Sequence, residues 1–316
     1  MKTVSQLQGI DLFGEPIRRK ASGPVAERFG FPPFSVLDAR SGEWQERKRA
    51  WASVGIKGEV GRDAEAYNTT QWLRDKNNGG EAIGGSIDTG TSIFDPTLCE
   101  CAYRWFCPVG GQVVDPFAGG SVRGIVAGML GRRYWGCDLR QEQIDANNAQ
   151  ADEIAPDVRP VWVCGDSMTT LDAAPDADFV FSCPPYGDLE RYSDDPADLS
   201  TMEYHTFRAA YGRIILRVVK RLKPDRFACF VVGDFRDKRG FYRDFVSGTI
   251  AAFRDAGAEL YNEAILVTSV GSASMRVTKQ FGAGRKFAKT HQNVLVFCKG
   301  DWRKAAARCN AEGGGA

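Results

Sequence analysis

An α/β fold, a mostly parallel sheet with helices on both faces, is what this sequence predicts, and three observations predict it. Seven short apolar runs recur between about residue 91 and residue 298. Longer segments of helical period separate them. Gly, Asp and Pro gather just after the runs rather than inside them, as they do where strands buried on both faces open into turns at one edge of a sheet.

The composition is that of a folded globular chain. Of 316 residues, 43% are apolar and 26% charged, which excludes collagen-like, coiled-coil and wholly disordered architectures. The 41 Lys and Arg offset 40 Asp and Glu, leaving a net charge of +1. A uniformly basic nucleic-acid binder is therefore excluded, and contact with DNA or RNA needs a local patch. No stretch of about eighteen apolar residues offers a membrane span, and residues 1–9 lack the apolar core of a secretory signal. The nine Cys are scattered, several inside apolar runs such as Val161-Trp162-Val163-Cys164, so a reduced, cytoplasmic chain is expected. Cys99, Cys101 and Cys107 have poor zinc spacing and no nearby His. They read as small buried hydrophobes, and no metal is expected.

Residues 1–90 read as an irregular N-terminal extension, punctuated by Gly23-Pro24, Pro32-Pro33 and Asn77-Asn78-Gly79-Gly80. This is the region expected to hold target recognition or DNA contact. Inside it, Trp44, Arg47, Lys48, Arg49 and Trp51 predict a surface helix with two Trp packed on the body. The other reading is a segment that stacks on bases and touches phosphates.

The catalytic domain is expected over 91–302. Its first strand, around Val113-Val114, runs into Asp115-Pro116-Phe117-Ala118-Gly119-Gly120-Ser121 and a helical segment from Val122 to Leu130. Glycines in such a turn let the backbone approach a ligand closely. The second strand, Tyr134 to Cys137, ends in Asp138, and the third, Pro160 to Cys164, in Gly165-Asp166. An acidic residue after the second strand suits ribose hydroxyls, and three such ends in succession point to one nucleoside-containing cofactor. The fourth strand, Asp178 to Ser182, runs into Cys183-Pro184-Pro185-Tyr186. Two prolines remove two donors and stiffen the turn while their carbonyls still accept. With the flat face of Tyr186 beside them, they suit an exocyclic amino group on a nucleobase.

The next helix is predicted from a capping box, Ser200-Thr201-Met202-Glu203. Its stripe runs Tyr204, Phe207, Tyr211, Ile214, Ile215, Val218 and Leu222, and Lys223-Pro224 ends it. Strands follow at Phe227 to Gly233, Leu260 to Thr268 and Asn293 to Cys298, with an insert at 269–291 and a flexible tail at 303–316. His205 and His291 have no paired partner in the sequence and read as helix-surface and strand-entry residues.

The glycine turn followed by Ser182-Cys183-Pro184-Pro185-Tyr186 resembles the S-adenosylmethionine-dependent DNA amino-methyltransferases, which methylate adenine N6 or cytosine N4. The resemblance covers roughly residues 91–300, with the cofactor motif before the catalytic one. It implies a Rossmann-like class I methyltransferase fold with a seven-stranded sheet, S-adenosylmethionine as cofactor and double-stranded DNA as partner. A bacterial or phage source, with or without a restriction partner, goes with it. It implies that Thr91-Ser92-Ile93-Phe94-Asp95-Pro96 is a further cofactor segment, through Ser92, Phe94 and Asp95. Phe117 and Gly119, with Ala118, Gly120 and Ser121 around them, would line the methionine side. Asp138 would take the ribose hydroxyls and Asp166 the adenine amino group, while Asp115 would fix the turn and reach toward the methionine ammonium.

Two departures from the family stand out. Gly120-Ser121 replaces the usual Ser-Gly, and Cys183 stands where Asp, Asn or Ser is usual. Sulfur is a weak acceptor, so the Pro184 carbonyl and a neighbour such as Ser182 must hold the amino group, or the target is another atom. A thiolate attack on a pyrimidine by Cys183 is the minor reading, since the residue precedes Pro184 instead of following a proline. The alternative functions are methylation of RNA, protein or a small amine, and an idle nucleic-acid-binding protein of the same fold.

Local charge supplies the patch that the net charge hides. Between Glu263 and Asp301 there is no acidic residue, while Arg276, Lys279, Arg285, Lys286, Lys289 and Lys299 fall in that span. The first five are the expected phosphate contacts. After Tyr186 the sign reverses, with Asp188, Glu190, Asp194, Asp195 and Asp198 against Arg191 alone.

Overall fold

The computed structural model describes residues 29–56, 94–187, 195–268 and 273–310. Among these residues eight strands form one sheet: β1 (Val36–Asp38), β2 (Gln112–Asp115), β3 (Arg133–Asp138), β4 (Val161–Cys164), β5 (Ala177–Ser182), β6 (Leu222–Val232), β7 (Glu259–Val267) and β8 (His291–Lys299). Their spatial order is β1-β7-β8-β6-β5-β2-β3-β4. Every neighbouring pair is parallel except those made by β8, which runs antiparallel to both β6 and β7. The chain winds outward from β2 through β3 to β4, then returns to place β5 on the other side of β2. That reversal creates the crevice in which open α/β sheets bind ligands. This is the expected Rossmann-like, doubly wound arrangement, with one strand more than the seven expected.

Alternation along the strands explains the two layers. Phe179 and Phe181 of β5 point to a core shared with Tyr103, Ile125, Cys229 and Val296. Val180 points to the other core, with Ile214, Ile215, Val218 and Phe230. The first face is covered by α1 (Gly42–Ser53), α2 (Pro96–Phe106), α3 (Val122–Met129) and α4 (Gln141–Ile154). The second is covered chiefly by α6 (Tyr204–Arg221) and α7 (Phe245–Asp255), with the single turn α5 (Ser167–Thr170) between β4 and β5. Helices α8 (Ala273–Gly284) and α9 (Trp302–Asn310) complete the described elements. Helix α3 sits close to the sheet because Gly124 leaves no side chain there; a Cβ would stand 2.5 Å from Trp162. At the opposite edge of the sheet from the crevice, Asp178 accepts from the Gln112 backbone, Lys223 and Arg226, at 2.9–3.1 Å.

Four expectations change. The additional strand, β1, comes from the stretch read as irregular; three residues are too few for alternation to be seen. Residues 29–56 also pack into the common core, where Trp44 and Trp51 are each 2% exposed, so the packed-helix reading of that segment holds. The capping box is not formed: α6 starts at Tyr204 with no side-chain cap from Glu203. Asp198 instead caps a 3-10 turn at Leu199–Thr201, accepting from the Ser200 backbone. The tail is helical to Asn310, with Ala305 buried. Cys99, Cys101 and Cys107 are buried as expected, and burial pushes their thiols up, Cys107 to about 12.

The helix α1 is held by a buried carboxylate. Glu100 accepts from Arg47 Nε at 2.6 Å, Trp51 Nε1 at 2.8 Å and Arg104 Nε at 2.9 Å. Burial alone would raise its pKa, but hydrogen bonds and charge from Arg47, with Arg104 and Trp51, hold it below the ordinary value. No helix among the described residues is long and apolar enough to cross a membrane.

Candidate functional site

A cavity of about 410 Å³ opens where the carboxyl ends of β2, β3, β4 and β5 meet. That volume is in the range of small-molecule sites. Its walls include Phe117, Gly119 and Gly120 after β2, Asp138 and Arg140 after β3, Asp166 after β4, and Cys183, Pro184, Pro185 and Tyr186 after β5. Phe94 and Asp95, just before α2, close one side. The order of strand ends read from the sequence thus becomes one continuous wall.

The glycine turn is pinned from both sides. Gly119 has φ +50°, a left-handed conformation that a side chain disfavours. Its N–H donates to Asp138 Oδ2 at 3.1 Å, and Asp138 Oδ1 accepts from the Arg140 backbone at 3.0 Å. Asp166 caps α5, accepting from the Met168 backbone at 2.8 Å, which fixes its carboxylate at the cavity edge. Asp95 caps α2 through Thr97 and also accepts from Trp44 Nε1 at 3.1 Å.

Beneath the turn lies a buried polar cluster centred on Asp115, which is fully buried. Its Oδ1 accepts from the Phe117 backbone at 3.1 Å and from Ser182 Oγ at 2.5 Å; its Oδ2 accepts from Arg123 Nε at 2.6 Å and Tyr134 OH at 2.7 Å. Arg123 also donates to the carbonyls of Phe117 and Ala118 and lies over the Phe94 ring at 4.6 Å. Burial opposes its charge, but Asp115 outweighs that and raises its pKa.

This geometry corrects three assignments. Asp115 fixes the turn, yet two donors occupy each of its oxygens, so it does not reach a ligand ammonium. Ser182 is fully buried and gives its hydroxyl to Asp115; it faces away from the cavity and holds no amino group there. Ala118 and Ser121 are buried behind the wall, Ser121 donating to Gln150. Ser92 lies outside the described residues, as do 188–194 of the acidic loop.

The catalytic-type turn is firmly seated. The Tyr186 ring packs in T-shaped contacts with Phe235 and Phe245, ring centroids 6.3 and 5.9 Å apart. Its hydroxyl accepts from Gln292 Nε2 at 2.9 Å and lies 4.0 Å from Cys183 Sγ. Burial, with Cys183 nearby, pushes the phenol well above its ordinary range, so it stays neutral.

Sequence reasoning missed four cavity residues. Arg123 had a signal: it is the only charge in Val122–Met129, an otherwise apolar helix after a glycine turn. Lys48 and Gln45 reach the cavity from α1, with Lys48 Nζ 3.7 Å from Asp95. Gln292 enters from the antiparallel β8, and nothing in the sequence pairs it with Tyr186. The five expected phosphate contacts divide. Lys289 lies beside Gly233, next to Tyr186, and burial lowers its pKa although Asp234 opposes that. Arg285 and Lys286 follow α8, while Lys279 is exposed on it. The side chain of Arg276 lies outside the described part. His291 opens β8, as expected for strand entry.

No protein-family model matches the chain, and no curated protein sequence matches it. Solved structures of similar fold include TrmN from Thermus thermophilus, at 15% identity and a TM-score of 0.44, covering 65% of this chain and 48% of that one. The match therefore spans about half the length of TrmN. A precorrin-6y C5,15-methyltransferase from Geobacter metallireducens matches at 13% identity and a TM-score of 0.43, covering 71% and 95%. Magnesium protoporphyrin IX methyltransferase from Synechocystis, solved with bound SAH, matches at 10% identity and 0.46, covering 74% and 96%. Identities this low say nothing of substrate.

Proposed function

We propose that this protein is a methyltransferase that takes its methyl group from S-adenosylmethionine and places it on an exocyclic amino group of a DNA base, adenine N6 or cytosine N4. The observation that carries this reading is the single cavity that joins the glycine turn, Asp138 and Asp166 at one end to Cys183-Pro184-Pro185-Tyr186 at the other.

The residues present fit the cofactor. Two carboxylates at successive strand ends suit ribose hydroxyls and an adenine amino group, and Phe94, Phe117 and Leu139 supply apolar wall between them. At the β2–β5 end, Asp95 and Lys48 offer an anion and a cation side by side, the charge pattern that matches an amino-acid zwitterion. Arg123 is committed to Asp115 and the turn carbonyls. When bound, the cofactor supplies an electrophilic methyl on a sulfonium sulfur. The chain itself does the positioning, which is where most of the rate comes from in such a transfer. Tyr186 gives a fixed stacking face for a base turned out of its helix, and Gln292 and the two Phe rings hold that face still. The Pro184 carbonyl accepts one N–H of the amino group, leaving the nitrogen lone pair directed along the cavity. With Ser182 turned away, the Pro184 carbonyl carries that role beside Cys183.

The test is incubation with methyl-labelled S-adenosylmethionine and unmethylated duplex DNA, followed by digestion and mass spectrometry of the nucleosides. N6-methyladenosine or N4-methylcytidine (deoxy forms) is the expected product. Label appearing in RNA, protein or a free amine, and not in DNA, overturns the substrate. Titration calorimetry showing no S-adenosylmethionine binding overturns the enzyme reading and leaves the idle binding protein.

A further inference from the structure

Near the mouth of the cavity, large apolar side chains stand in solvent among cations. Between β6 and α7 the chain makes a turned-back loop closed by the bridge Arg236–Tyr242. At its tip Phe241 is 66% exposed, and Tyr242 beside it 44%. Opposite, after α8, Phe287 is 76% exposed and lies 5.6 Å from the ring of Phe281, itself 37% exposed. Apolar rings left in water at this density mark a contact surface.

The two segments form one face. The Lys286 side chain lies over Gly240, in the space a Cβ would fill, and Lys289 Nζ sits 6.0 Å from the Tyr242 ring. Lys289 also borders Gly233, where Tyr186 comes within 4.0 Å of the Cβ position. The face therefore runs outward from the catalytic-type turn without a break. Cations accompany the rings: Arg236 lies 3.9 Å from Tyr242, Arg239 5.7 Å from Phe241 and Arg285 5.4 Å from Phe281. The acids of the loop are engaged locally. Asp237 accepts from the Phe241 backbone and Arg239, and Asp234 from the Val246 backbone.

We propose that this face binds an unpaired nucleic-acid strand, with Phe241 and Phe287 stacking on its bases while Arg239, the exposed Lys238 beside it and Lys286 contact phosphates. The inference rests on the nucleic-acid reading of the adjoining cavity and adds the part of the strand beyond the base held at Tyr186. Interleaved rings and cations fit that partner because every base offers a stacking face and every link a charge. The 234–243 loop carries as much of the face as the 285–289 segment, although only the latter stands out by charge.

The experiment is fluorescence anisotropy of a labelled 30-nucleotide single strand and its duplex, across a salt series, with the full chain. Phe241→Ala with Phe287→Ala should weaken binding at least tenfold with an unchanged salt slope, and Phe241→Trp with Phe287→Trp should restore it. Lys238→Gln with Lys286→Gln should lower the single-strand slope by roughly 1.4, since each phosphate contact contributes about 0.7 there. S-adenosylmethionine affinity should stay at the wild-type value in all variants, which separates surface effects from misfolding. Wild-type affinity and slope in both pairs overturn this face while leaving the cavity reading intact. Failure of the wild-type chain to bind either DNA form, or binding of anionic lipid vesicles in its place, overturns both.

Discussion

Cys183 and Ser182 show what one position along a strand decides. Successive side chains point to opposite faces of a sheet, so of the two adjacent candidates only Cys183 lines the cavity, while Ser182 supports Asp115. Cys183→Ser should therefore keep or raise methyl transfer, because a hydroxyl accepts a hydrogen bond better than sulfur; a thiolate mechanism predicts complete loss in the same assay. Tyr186→Ala should lower kcat/KM by roughly 10- to 100-fold, the scale of a lost base-stacking contact, with S-adenosylmethionine affinity within about twofold of wild type by calorimetry. The residue types of the site were legible in the sequence because strand ends announce themselves through Gly, Asp and Pro. Their partners were not: the Gln292–Tyr186 contact joins positions 106 residues apart.

At the scale of elements, the sheet was readable wherever apolar runs were long enough for their period to register. In the stretch 29–56 only the helix was, through its two Trp; β1 is three residues long, and α1 takes its stability from outside itself. Apart from Trp44 and Trp51 its helix is polar, and those two residues fill a gap against α2. What anchors it is Glu100, one carboxylate for Arg47, Trp51 and Arg104. Glu100→Ala strands Arg47 and should cost about 3 kcal/mol, at the lower end for breaking a buried pair, measurable by urea unfolding. Because α1 also carries Lys48 to the cavity, the same variant should weaken S-adenosylmethionine binding. Unchanged affinity would mean that α1 lines the cavity without contributing to it.

For the whole molecule, the near-zero net charge conceals where charge matters. Glu100 and Asp178 hold their pKa values below the ordinary 4.5 and 3.8, in each case because hydrogen bonds and cations outweigh burial. A carboxylate with a depressed folded pKa stabilises above its unfolded pKa and loses that contribution as pH falls through the folded value. The contribution of these two carboxylates to the unfolding free energy should thus be level above about pH 5.5 and decline progressively below about pH 4.5. Glu100→Gln, already less stable at pH 7, should show a shallower decline in urea titrations at pH 7 and pH 3.5; an equal decline would assign the acid sensitivity elsewhere. The strand order has a consequence of another kind. Among the described residues the only strand beside β1 is β7, and β7 joins the rest of the sheet through β8. A ribosome making this chain releases β1 early, yet β1 cannot join the rest of the sheet until β7 and β8, which ends at Lys299, have emerged. Ala39, the cavity residue that follows β1, is made early and seated late, and a nascent chain stopped short of β8 holds the glycine turn and Tyr186 without Gln292 and the finished chamber around them.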